Sequence, residues 1–305
     1  MNNKVIAFIF SVLLIGTVGY FLSTSIFKRS QTLQTDNTKL STMASFYPLY
    51  YFASEIGGDK SQITNLTPSG VEPHDYDPTP QEIARIQKSN LLVVNGAGFE
   101  PWLDKIKDDL NNVVVVDTSQ GLNLQEGQIE GKDPHIWLSP VLAKSQVDKI
   151  LQGYIQVDPT NRAFYSANAQ RLKEKLDELD MKFKQGLSSC SQKSFVTSHA
   201  AFWYLAREYN LTQVPISGLS PDEEPSPQRL AEIADFARKN GVKYIFFETL
   251  VNPRFSETIA QEMGAQTLVL NPIEGLSNEE LKQGKDYLSV QEENLSNLRI
   301  ALNCK

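Results

Sequence analysis

Histidine is scarce in this chain, with three in 305 residues. None of the three sits on an apolar helix face or in a tail. His74 ("VEPHDYDPTP") and His135 ("DPHIWLSP") each follow a proline directly, and His199 ("FVTSHAAFWYLA") stands where a strand-like run turns into a helix-like one. Positive charge is also lacking. The net charge is −7 and the basic residues are scattered, which argues against a nucleic-acid partner, because phosphate binding needs clustered Lys and Arg. There is no Gly-rich phosphate loop, no GxSxG elbow and no H-E-x-x-H pattern, so the common sequence signals of nucleotide binding, serine hydrolysis and metalloprotease chemistry are missing. Long low-complexity tracts are missing too, and the apolar content is that of a globular protein.

Only one long hydrophobic run is present, from Val5 to Phe27. About 20 such residues suffice to span a bilayer as a helix. A secretory signal shows a shorter apolar core and a small-x-small cleavage site, and no clear one is found here. No cysteine lies near the end of the run, which argues against a lipoprotein anchor. Lys4 and the amino terminus flank one side and Lys28 and Arg29 the other, so the positive-inside comparison is close to a tie. Residues 1–29 are therefore expected to be a signal peptide or a retained membrane anchor, and 30–39 ("SQTLQTDNTK") a polar linker. Cysteine is nearly absent as well: Cys190 and Cys304 stand far apart in polar surroundings. The pair fits one disulfide in an oxidising compartment; two unrelated thiols are the alternative. Export, with the globular part outside the cytoplasm, is the expectation.

From Leu40 onward strand and helix signals alternate. Strand-like runs occur at "LSTMASF", "ITNLT", "LLVVNG" and "VVVVDT", then at "SFVTS", "QVPIS", "YIFFET" and "TLVLN". Helix starts are marked by a polar cap followed by proline at Thr79-Pro80, Ser139-Pro140, Ser226-Pro227 and Asn252-Pro253. Glu82 occupies the capping-box position after Thr79. Such alternation predicts parallel sheets covered by helices. Between the two sets of four strands, the segment from Asp158 to Leu187 repeats apolar residues at near-helical spacing (Phe164, Leu172, Leu176, Leu179, Phe183). The fold expected is α/β: two (β/α)4 lobes with parallel sheets, 40–157 and 188–305, joined by one long rigid helix, 158–187.

Ligands of open α/β sheets bind beyond the carboxyl ends of the strands. His74, His135 and His199 all belong to loops at such ends, where a cleft between the lobes would form. Pro73 and Pro134 stiffen the backbone beside two of them. One loop histidine is commonly a solvated or hydrogen-bonded residue; three at equivalent strand ends point to a metal. Imidazole suits zinc and other borderline transition ions.

Four ordered stretches, "PHDYDPTPQEIARI", "DPHIWLSP", "SHAAFWYLAREY" and "LNPIEGL", resemble the signature segments of the zinc and manganese solute-binding proteins of ABC importers (cluster A-I, the ZnuA-like receptors). The resemblance covers the chain from about Leu40 to the C-terminus. It implies a metal held in the interlobe cleft, delivery to an ABC importer permease, and a monomer. It carries His74, His135 and His199 over as metal ligands. For the fourth ligand many relatives have Asp where this chain has Asn271, whereas zinc-type relatives with "NP" offer the glutamate three positions on, here Glu274. A carboxylate is the stronger zinc donor, and three neutral imidazoles leave the ion's double charge uncompensated. Zinc receptors often carry a histidine-rich acidic loop; here "SQGLNLQEGQIEGKD" has no histidine, so metal capture by such a loop is not expected.

Zinc is expected in preference to manganese. Glu248 could face the cleft as an orienting partner or serve as a loop cap. Asp75, Asp77 and Asp133 flank the histidines and could orient imidazole N–H groups or merely cap turns. Trp102, Trp137 and Trp203 read as packing residues. Three functions remain in competition: a zinc receptor for uptake, with no catalysis; a surface adhesin of the same fold; and a zinc hydrolase with three histidines, a bound water and Glu274 or Glu248 as base.

Overall fold

All eight strand-like runs become strands in the computed structural model, which describes residues 39–126 and 131–305. The apolar run Val5–Phe27 and nearly all of the linker lie outside the described residues. Among the described residues no helix is long and apolar enough to cross a membrane. The first sheet comprises β1 (Leu40–Ala44), β2 (Ser61–Asn65), β3 (Leu91–Val94) and β4 (Val114–Asp117), in the order β2-β1-β3-β4. The second comprises β5 (Ser194–Thr197), β6 (Thr212–Pro215), β7 (Tyr244–Phe247) and β8 (Gln266–Val269), in the order β6-β5-β7-β8. Every pairing is parallel. Central β3, Leu-Leu-Val-Val, is buried along its whole length, as a strand covered by helices on both faces must be.

Three of the four cap-and-proline starts form as expected. Thr79 and Glu82 make a reciprocal capping box ahead of the helix Pro80–Ile86. Ser139 caps Pro140–Val157 and Ser226 caps Pro227–Lys239. The fourth differs: the helix starts at Arg254, and Asn252 Oδ1 accepts the Arg254 backbone N–H at 3.0 Å instead of capping further on. This is an Asx turn, the local hydrogen bond that competes with a true cap.

The long connector also begins one turn late. Residues Pro159–Asn161 form a 3-10 turn, and the α-helix proper runs over Arg162–Leu187. Its 26 residues extend about 39 Å at 1.5 Å each. Leu172, Leu176, Leu179 and Phe183 are buried on it as the spacing demands, while Phe164 is only partly buried. These side chains are the middle of one core that runs from Phe46 and Trp137 beside the first sheet to Phe195, Phe202 and Phe246 on the second. Smaller clusters fill the far side of each sheet. A helix packed into a core shared by both sheets is a stiff spacer, and it holds the strand ends in register with each other.

Cys190 and Cys304 form a disulfide, the pairing expected for two cysteines in an oxidising compartment. Backbone bonds from Ser191 to Asn303 and from Gln192 to Leu302 run alongside it. The terminal helix Tyr287–Ala301 is thereby fastened to the edge where β5 begins, opposite the edge that carries the histidines.

Candidate metal centre

Four carboxyl-end loops converge. His74 leaves the loop after β2, His135 the loop after β4, His199 the loop after β5 and Glu274 the loop after β8. One donor atom from each lies within 4.8 Å of all the others. Glu274 Oε1 stands 3.3 Å from His74 Nε2, 3.3 Å from His135 Nε2 and 3.2 Å from His199 Nε2. His135 Nε2 is 3.3 Å from both His74 Nε2 and His199 Nε2. A regular tetrahedron with metal–ligand bonds of 2.0–2.1 Å, the zinc–imidazole and zinc–carboxylate range, has edges of about 3.3–3.4 Å. Five of the six donor separations thus match the edge of a four-coordinate zinc shell.

Two histidines are locked by carboxylates behind them. Asp133 Oδ1 accepts from His135 Nδ1 at 2.8 Å and from the His135 backbone N–H at 3.0 Å. Glu248 Oε1 accepts from His199 Nδ1 at 2.7 Å. With Nδ1 donating, the neutral form of each ring has its lone pair on Nε2, facing the centre, which is the tautomer a metal needs. Of the acidic residues weighed for orientation, Asp133 and Glu248 take it. Asp77 instead pairs with Lys105 at 3.1 Å, and Asp75 is exposed. His74 has no carboxylate on Nδ1 among the described residues; its ring meets Phe99 edge-on at 4.7 Å between centroids.

The electrostatics follow from that wiring. Burial by itself lowers the pKa of His135, but hydrogen bonds to Asp133 and Glu274 override it and hold the imidazole above its ordinary value. Burial also opposes charge on His199, yet the Glu248 and Glu274 carboxylates raise its pKa well above that of a free imidazole. For His74 burial prevails and the pKa is lowered. Glu274 is wholly buried, which favours its neutral form, but His199 and the contacts from all three imidazoles hold it well below the carboxylate range. A carboxylate that stays ionised beside three imidazoles is an anionic cage for a cation.

Asn271 is not part of the cluster. Its Oδ1 accepts from Ile273 N at 2.7 Å, and its Nδ2 donates to Thr249 at 3.1 Å and Glu280 at 3.2 Å. It shapes the turn on which Glu274 is presented. In that turn Ile273 has φ +58°, a left-handed conformation costly for a β-branched residue, here imposed at the residue before Glu274.

Several supporting residues gave no signal in the sequence. Trp137, read as packing, is fully buried and also donates from Nε1 to the Pro272 carbonyl at 2.7 Å, tying the His135 segment to the Glu274 turn. Tyr204 donates to the Asp133 carbonyl at 2.8 Å from the helix that follows His199. Asn95 Nδ2 donates to the Pro134 carbonyl at 2.9 Å, beside His135. Each is an interaction between segments distant in sequence, which no local pattern encodes. Glu72 is different, since "EPH" at 72–74 repeats the "DPH" of 133–135. Its Oε1 accepts the His74 backbone N–H at 3.0 Å. Burial, together with the nearby Glu274 charge, pushes its carboxyl up to about 9.

Two parallel α/β sheets, a helical spacer between them and a four-donor cage where their strand ends meet define a two-lobed metal-binding protein. The chain belongs to the family described as zinc-uptake complex component A, periplasmic, which matches residues 43–301. It is 40% identical over 283 residues to the high-affinity zinc uptake system protein ZnuA of Bacillus subtilis, covering 88% of this chain and 89% of that one. Among solved structures, the Zn(II)-bound ZnuA-like domain of Streptococcus pneumoniae AdcA is 40% identical with a TM-score of 0.79, covering 87% of this chain and 100% of the domain. Full-length AdcA is longer, and the match covers 55% of it. The laminin-binding protein Lmb of Streptococcus agalactiae, described as bifunctional with adhesin and metal-transporting activity, is 33% identical with a TM-score of 0.80, covering 86% of this chain and 99% of that one.

Proposed function

We propose that the chain is an extracytoplasmic receptor that captures Zn2+ between lobes 40–157 and 188–305, on either side of the connecting segment 158–187, and passes it to an ABC importer permease. The observation that carries this reading is that five of the six donor separations among His74, His135, His199 and Glu274 are 3.2–3.3 Å, the edge length of a tetrahedral zinc shell. Zinc here is cargo. His135 and His199 hold it through lone pairs fixed from behind, His74 completes the imidazole set, and Glu274 supplies the charge. A hydrolytic site keeps one coordination position for water; four converging protein donors leave none. Adhesion is a second reading, favoured by the likeness to Lmb, and growth in zinc-poor medium separates it from uptake. Placement outside the cytoplasm is supported by the disulfide and by the periplasmic description of the family. We assign the N-terminal run the task of directing or holding the protein at the membrane.

The test is direct metal competition. Protein prepared without added metal should take up one zinc per chain and prefer it to manganese, as the Irving–Williams order requires of an imidazole-rich site. Glu274→Gln should lose more affinity than the roughly 10–100-fold typical of an orienting partner, while Asn271→Ala should lose less than Glu274→Gln. Equal or tighter manganese binding, or a Glu274→Gln variant that binds like the parent, overturns the assignment.

A further inference from the structure

The loop after β3 carries none of the four donors, yet its backbone is strained. Gly96, Ala97 and Gly98 take φ of +79°, +57° and +83° in succession, left-handed geometry that is costly for Ala97. A Cβ on Gly96 would run into Asp117 Oδ1, so only glycine passes there. Strain of this kind persists where surrounding contacts over-determine it. Here the contacts converge on one side chain. Glu100 Oε1 accepts the Asn95 backbone N–H at 2.7 Å and the Ser45 hydroxyl at 2.6 Å, and Oε2 accepts the Gly96 backbone N–H at 3.0 Å. Burial pushes the Glu100 carboxyl up to about 7 against the pull of those donors, and an acid is costly to keep in such a place.

What the loop delivers is Phe99, the residue before Glu100. Its ring meets His74 edge-on at 4.7 Å and packs on Phe46 at 4.6 Å and Trp137 at 5.4 Å, separations at which aromatic rings hold each other in preferred orientations. His135 and His199 have a carboxylate on Nδ1; His74 has the Phe99 ring. On the reading proposed above, we infer that Glu100 is the positioning residue of His74. It touches neither the donors nor the ion. It folds the loop that seats Phe99, and Phe99 aims His74 Nε2 at the other donors. Each histidine of the cage then has a carboxylate behind it, two directly and one through an aromatic ring. The same carboxylate borders Asn95, whose side chain holds the His135 segment at the Pro134 carbonyl, so a test has to separate His74 from general support.

The experiment is zinc competition titration of the full chain in a double-mutant cycle of Glu100→Gln with His74→Ala, each variant first shown to be folded by thermal melt. Glu100→Gln keeps one acceptor oxygen but presents an amide N–H where the Gly96 N–H needs an acceptor. It should cost the parent about tenfold in zinc affinity, the lower end of what an outer partner of a metal site commands. In the His74→Ala background the same change should cost less than about threefold, because the residue it positions is gone. Phe99→Leu, which leaves the Glu100 carboxylate in place, should show the same pattern, and it carries the test if Glu100→Gln does not fold. An equal loss in both backgrounds makes Glu100 a general support and overturns the role. So does a folded Glu100→Gln or Phe99→Leu that binds zinc like the parent. One zinc bound per parent chain, lost on His199→Ala, keeps the receptor reading intact even then; failure of that control takes both down.

Discussion

His135 and His199 stand in one kind of setting and His74 in another. The first two are fully buried, each with a carboxylate on Nδ1, and each sits in a segment tied to the other lobe. The third is partly exposed and leans on Phe99, and its neighbouring carboxylate, Glu72, accepts its backbone N–H and not Nδ1. The contrast is one of tasks. A receptor needs donors that are in place before the ion arrives, because pre-organisation saves the ordering cost of binding. It also needs one donor that can let go. On the proposed assignment, two rigid histidines and a charged glutamate serve the first need, and the less restrained histidine serves the second.

The largest effects should fall on the rigid side. Replacing His135 or His199 by alanine removes a donor and leaves Asp133 or Glu248 buried with its partner gone, so zinc affinity should drop further than for His74→Ala. Next come the orienting carboxylates. Asp133→Asn and Glu248→Gln should each weaken zinc binding by roughly 10–100-fold with the donor set intact, because an amide holds the imidazole tautomer less firmly. Competition titration ranks the variants. If His74→Ala proves the most damaging, or the carboxylate variants bind like the parent, the division of tasks is wrong.

Proton competition gives the same comparison a chemical handle. In the metal-free protein His135 and His199 are raised above their ordinary pKa and His74 is lowered. A raised imidazole contributes to metal-free stability below its unfolded pKa near 6.5, and that contribution is lost as pH climbs through the higher folded value. Glu274, held low, contributes above its unfolded value and stops doing so only as pH falls through its depressed one. Zinc must displace the imidazole protons. Its apparent affinity should therefore fall on acidification, already above pH 6.5, by about tenfold per unit for each proton displaced. His135 and His199 should dominate that loss. Calorimetry in buffers of different ionisation enthalpy counts the protons released at pH 7. Glu248→Gln should reduce the number and His74→Ala should not; the reverse pattern contradicts the assignment.

Much of this was legible from local signals. Eight apolar runs placed the strands, and three of the four cap-proline pairs placed helix starts, since backbone propensity and capping act over a few residues. The three histidines were conspicuous through scarcity and through their places at strand ends. Glu274 entered only through the family resemblance, because nothing in "LNPIEGL" says which polar side chain faces inward; the left-handed turn at Ile273 decides that. The roles of Asp133 and Glu248 stood open against capping for the same reason. Trp137, Tyr204 and Asn95 stayed hidden because their hydrogen bonds join segments far apart along the chain. Glu72 did carry a local signal, since its acid-proline-histidine triplet repeats that of Asp133.

The smallest effect on zinc should come from the far edge of the second lobe. The Cys190–Cys304 bond closes a span of 114 residues, and cross-links of this kind stabilise by typically about 2–4 kcal/mol, mainly through the unfolded chain. Some of the fastening is duplicated by the backbone bonds of Ser191 and Gln192 to the terminal segment, so the double variant Cys190→Ser/Cys304→Ser should still fold. Its melting temperature should fall by roughly 5–15 °C. Zinc affinity should stay within about threefold of the parent, as expected for changes far from the site with no shared partners, because the donors stand on the opposite edge of the sheet. Thiol titration of the denatured parent should find no free sulfhydryl, and two free thiols would remove the bond from the account. A large loss of zinc affinity in the double variant would mean that the terminal helix transmits to the cage, through the contacts of Asn294 with Asn271. The rigid side of the site would then extend the full depth of the lobe.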